Sequence, residues 1–243
     1  MPSQTVNPPP PCIPGLFTDE GSNNDTRSWE ALMYWRSDCF VYSVTWYKER
    51  SGVQHEFLHF YISSPDGRHW STVIAERGKV DGQPGKSDRT ASPSPFSSRS
   101  TSDRVAADMV FAATLGTTGA TGIDGRCAPA RAIRLHSLTF PDGNGPSAHQ
   151  LAMLLVAMST VKEKYHLLAS QCYWFSATGF KALVRLFPGA KAEEDIHSKQ
   201  KGTCYGLPIP FASVVDMVCT TYEEKQQEIY GGVYHGPADP THC

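Results

Sequence analysis

Runs of aromatic and β-branched residues mark three strands in the first third of the sequence: Cys39–Tyr47, Val53–Ile62 and Trp70–Ala75. The polar stretch Lys48–Gly52 and the segment Ser63-Ser-Pro-Asp-Gly67 supply turns between them. The three strands are therefore expected to form an antiparallel meander. A short strand is predicted over Ala132–Phe140, followed by a turn at Pro141–Pro146.

The period then becomes helical. Leu151, Leu154, Leu155 and Met158 recur at i, i+3, i+4, i+7, an amphipathic stripe ending near Thr160–Lys164. Ser147 with Gln150 makes a capping box at its start. A second helix runs from about Gln171 to Phe187 and is closed by Pro188-Gly189. Phe211, Val214, Val215, Val218 and Tyr222 form a third stripe, and Trp29–Trp35 fits one or two helical turns. Tyr165–Leu168 and Tyr205–Ile209 read as short extended pieces, and residues 190–203 as a charged, solvated loop. These elements predict an α+β fold, an antiparallel sheet packed against helices.

The ends and one interior stretch lack this patterning. Residues 1–27 read as a loose arm and 231–243 as an unpacked tail, leaving one domain over 28–230. An insertion at 78–104 is Ser- and Pro-rich, with Ser92 and Ser94 each before a proline, and reads as a linker. Residues 116–130 are Gly/Thr/Ala-rich and irregular; Gly116, Gly119, Gly122 and Gly125 match no phosphate-binding fingerprint.

The 243 residues, 40% of them hydrophobic, suffice for a real core. With 22 Lys+Arg against 24 Asp+Glu there is no basic excess, so a nucleic-acid or anionic-membrane partner is not expected. The chain starts without an export signal, and no apolar run reaches the roughly 18–20 residues of a membrane span. A cytoplasmic monomer with reduced thiols is the expectation. Cys204, Cys219, His197 and His235 match no common zinc spacing, and no metal or cofactor is expected.

Of seven cysteines, Cys172 stands apart. A short extended segment leads into a helix whose first turn it occupies. There the free N–H groups and the helix dipole favour a thiolate and would also hold an oxyanion; Ser170 is placed to cap this helix. The alternative is a small buried thiol, the commonest fate of free cysteine. A nucleophilic thiol needs a base. His55 and His59, four apart on one strand, project from the same face with Phe57 and Tyr61. Glu76 or His69 is placed to orient whichever histidine serves. The remaining histidines read as surface or satisfied core residues, and Trp35, Trp46, Trp70 and Trp174 as core or groove wall.

The order of a His-bearing strand, a turn, a strand and, much later, Tyr165-His-Leu-Leu-Ala-Ser-Gln-Cys172-Tyr-Trp-Phe175 opening a helix resembles the circularly permuted papain-like fold. That group includes NlpC-type permuted cysteine peptidases, PPPDE-type deubiquitinating and deSUMOylating peptidases and lecithin retinol acyltransferase-like enzymes. The chain also resembles uncharacterised basidiomycete proteins sharing a Cys-Tyr-Trp-Phe segment. The resemblance covers about residues 39–187. It implies a thiol hydrolase or acyl-transfer enzyme acting on an amide, isopeptide or ester bond of a peptide, protein or acyl substrate. Cys172 would attack, and His55 or His59 would move the proton. Gln171 stands where these families have Asn, and the third polar residue is not identifiable. A binding or interaction protein on the same scaffold, with Cys172 structural, is the alternative.

Overall fold

A computed structural model describes residues 13, 23–50, 54–79, 104–113, 131–162, 164–165, 172–208 and 214–231. The main sheet is antiparallel throughout and is built from β1 (Asn23–Asp25), β2 (Phe40–Glu49), β3 (Glu56–Ser63), β4 (Trp70–Lys79), β5 (Arg104–Ala113), β6 (Ala132–Thr139) and β8 (Lys191–Glu194). Their order across the sheet is β1-β5-β4-β3-β2-β6-β8, and the two-residue β7 (Lys164–Tyr165) also pairs with β5. A two-stranded ribbon, β9 (Thr203–Cys204) with β10 (Leu207–Pro208), stands apart. The helices are α1 (Thr26–Met33), α2 (Ala148–Val161), α3 (Cys172–Leu186) and α4 (Val215–Tyr230). This is the expected α+β architecture.

Alternation along the strands sorts the side chains onto two faces. One face carries Val44 and Trp46 of β2, Leu58, Phe60 and Ile62 of β3, Val73 and Ala75 of β4 and Val110 of β5. These join one core with Leu151–Leu155 of α2, Trp174, Phe175 and Phe180 of α3, Trp29 and Met33 of α1, and Val218 and Tyr222 of α4. The other face carries a smaller cluster, Phe57, Ile74, Phe111 and Ala132, with Tyr47 and Met109 against it.

A buried polar chain ties the helix layer to the sheet. The Arg77 guanidinium donates to Asp108 through Nε–Oδ1 and Nη2–Oδ2, both 2.6 Å, and lies 4.6 Å over the Trp174 ring. Ser159 Oγ of α2 donates to Asp108 Oδ2 at 2.6 Å and lies 3.0 Å from Thr26 Oγ1 of α1. Planar, paired hydrogen bonds plus ring stacking suit arginine in such a setting.

Many expected elements form, including both halves of the capping box: Gln150 N donates to Ser147 Oγ at 3.1 Å, and Ser147 N donates to Gln150 Oε1 at 2.9 Å. The turn after β3 has Gly67 at φ +65°, a value only glycine adopts without strain. Other readings need correction. The 1–27 arm is not wholly loose: Ile13 is buried and its N–H donates to Ser71 Oγ at 3.1 Å, β1 pairs with β5, and Asp25 caps α1. Lys48 and Glu49 belong to β2, not to a turn. Residues 191–194 of the presumed loop form β8, and β5 was not anticipated at all. Trp35 is not core but 81% exposed. The interior of the Ser/Pro-rich insertion, residues 116–130, Ser170 and the tail after Gly231 lie outside the described residues. Among the described residues, no helix is long and apolar enough to cross a membrane.

Candidate functional site

α3 begins at Cys172, as the sequence predicts, and crosses the sheet on the core face. Tyr173 lies by Lys48 of β2, Trp174 against Arg77 of β4, and Phe180 against Trp46 of β2 and His136 of β6. At Gly179 the helix lies close against β3: a Cβ there would lie 2.9 Å from Leu58 Cδ1. Cys172 itself is buried, with 6% of its surface exposed.

The histidines proposed to serve it lie elsewhere. Leu58, Phe60 and Ile62 point toward α3, so the odd-numbered residues of β3 point to the opposite face. His59 is on that far face, 6.0 Å ring to ring from Tyr47 and 5.0 Å from Tyr61. Its Nδ1 has no hydrogen-bond partner among the described residues, and burial lowers its pKa to about 4. His55 Nε2 lies 2.8 Å from Glu76 Oε2. Glu76 is also on the far face, since its neighbours Ala75 and Arg77 turn toward the helices. His69 sits by the turn at the other end of the β3–β4 hairpin, its Nδ1 3.9 Å from Asp66. The structure thus brings His55 and Glu76 together, keeps His59 on their face, and separates all of these from Cys172. The expected Cys172–His pair is not formed: the alternation of β3 puts His59 behind the sheet, and His55, which precedes β3, is held on that side by Glu76.

Glu56 holds the core-facing position at the start of β3. Its Oε2 accepts from Trp46 Nε1 at 2.9 Å, and its Oε1 accepts from Gly202 N at 2.9 Å and Lys48 Nζ at 3.1 Å. Lys48 Nζ also donates to Gln200 O at 2.8 Å, to Thr203 O and to Thr203 Oγ1 at 3.1 Å, and lies 5.3 Å from the centre of the Tyr173 ring. Both side chains are wholly buried, and burial pushes the Glu56 carboxyl up to about 7 against the opposing pull of Lys48. Burial, and then the Cys204 thiol hydrogen-bonded to its hydroxyl, hold the Tyr173 phenol far above its usual range. This cluster is saturated with partners; its evident work is to fasten the Gln200–Thr203 segment to the sheet.

That fastening builds one wall of a groove. A cavity of about 520 Å³ opens between α3 and the segment Lys201–Pro208. Its apolar lining is Trp46, Ala177, Phe180, Val184 and Pro208. Its polar lining is His136, Lys181 and Lys201, with the Gly202 backbone. His136 stacks on Phe180 at 4.5 Å, and Lys201 Nζ lies 3.2 Å from His136 Nδ1 and 2.7 Å from Glu194 Oε1. Burial, and next the Lys201 charge, lower the His136 pKa. Size and lining suit a small-molecule site.

Of the groove's lining residues the sequence singled out only Trp46, as core or groove wall. Lys48 and Glu56 face each other directly across the hairpin, and an opposed charged pair on one strand face was the signal available. Among the described residues, no group of three or more His, Cys, Asp or Glu side chains is placed to hold a metal ion. No family model, curated protein or solved structure matches the chain.

Proposed function

We propose that this protein is a non-catalytic binding protein on a scaffold resembling the permuted papain-like fold, with Cys172 a packed structural thiol and the ligand held in the groove beside α3. The observation carrying this reading is the placement of His55 and His59 on the face of the sheet turned away from Cys172. On that face neither histidine can take the proton that attack by the Cys172 thiol would release. The groove, by contrast, is apolar, open and walled by a segment anchored in the core.

Two measurements test it. Iodoacetamide labelling at pH 7, resolved cysteine by cysteine, should find Cys172 no faster than the more exposed Cys204. Selective labelling of Cys172, slowed in His55→Ala or His59→Ala, would overturn the reading. The neutral fluorophore N-phenyl-1-naphthylamine should brighten on binding, and Val184→Glu should abolish the signal by placing a carboxylate in the groove. No binding, or binding indifferent to that substitution, would remove the groove as the ligand site.

A further inference from the structure

Resting on the groove being the ligand site, we infer that its ligand is a small amphiphilic anion, a carboxylate or sulfonate carried on a flat aromatic or branched apolar body.

The body follows from the walls. Trp46 and Phe180, 5.7 Å apart ring to ring, with Ala177, Val184 and Pro208, present carbon surface. The one polar atom of Trp46 is already spent, because its Nε1 donates to Glu56 at 2.9 Å. The apolar surface also continues outward: Val184 is 44% exposed and Leu207 71%. A cavity of about 520 Å³ admits a ligand of one to three rings.

The charge follows from the polar lining, which offers donors. Lys181 is exposed on α3 and forms no ion pair among the described residues. Lys201 carries a second ammonium, shared with the exposed Glu194. Accepting from Lys201 at Nδ1, a neutral His136 bears its proton on Nε2 and is a donor there. The Gly202 N–H is already committed to Glu56. Among the described residues, no carboxylate lines the cavity itself. Two ammonium groups and an imidazole N–H favour a charged acceptor, which describes a carboxylate or sulfonate and not an amine.

A matched probe pair tests the charge separately from the groove. 1-Anilinonaphthalene-8-sulfonate has the ring system of N-phenyl-1-naphthylamine plus a sulfonate. The anionic probe should bind roughly tenfold more tightly than the neutral one, as one charge-assisted contact provides. Lys181→Gln and Lys201→Gln together should bring the ratio of the two probes' affinities down to about one, and raised salt should act in the same direction. Near-ultraviolet circular dichroism confirms that each variant remains packed. Equal affinity for the two probes, or a preference that survives both lysine substitutions, overturns this inference and leaves the binding reading standing. Failure of both probes to bind overturns the two together.

Discussion

Glu56 and Lys48 illustrate how costly a buried charge is when its partner is removed. Glu56→Leu leaves the Lys48 ammonium in the core with only backbone and hydroxyl oxygens, and a loss of about 3–5 kcal/mol in urea unfolding is expected. Adding Lys48→Met to that variant removes the stranded charge and should restore part of the loss, so the double substitution is milder than Glu56→Leu alone. Two buried groups also set opposing pH trends. Folded Glu56 titrates near 7 against an ordinary 4.5, so its contribution is full below about 4.5 and is lost as pH rises through 7. Folded His59 titrates near 4 against an ordinary 6.5, so its contribution is full above about 6.5 and is lost as pH falls through 4. Between pH 5 and 6.5 the two slopes oppose each other. Urea midpoints at pH 5, 6 and 7 should show Glu56→Gln losing stability more steeply than the parent on acidification and His59→Phe losing it less. At this scale the sequence revealed that His55 and His59 share a face, because alternation is local. It did not reveal which face α3 would cover, or that Lys48 would be buried, because the partners are Gln200 and Thr203, some 150 positions away.

Elements with strong local signals were legible: β2, β3, β4, the capped start of α2, and α3 to within a residue or so at each end. β5 was missed because Arg104–Ala113 is rich in alanine, which has weak strand preference. β8 was missed because Lys-Ala-Glu-Glu is fully exposed, its pairing with β6 being of backbone origin. α2 has the predicted stripe, yet almost every residue from Ala148 to Met158 is buried, since it lies between the sheet and the other helices. α3 approaches β3 so closely at Gly179 that an added methyl would lie 2.9 Å from Leu58 Cδ1 and 3.2 Å from Met158 Cε. Gly179→Ala should therefore cost about 1–3 kcal/mol by crowding, although alanine is the better helix former. Leu58→Val should cost less in that background than alone, and thermal unfolding of the four proteins checks the coupling.

At the scale of the whole molecule, four helices on one face give a single dominant core, and the candidate catalytic residues were divided by the sheet between them. The class of fold was readable because it sums many local periods; the assembly of Cys172 with a histidine was not, because it depended on the parity of one strand. The strand order has a further consequence at the sheet's margins. The outer side of β5 is occupied at two places, by β1 along Met109–Phe111 and by β7 along Arg104–Val105. The opposite margin ends in β8, four residues long and carrying Lys191, Glu193 and Glu194. A misfolded or neighbouring chain seeking a template for cross-β growth finds one border already clipped and the other short and charged, the arrangement that keeps a wide antiparallel sheet from recruiting further strands.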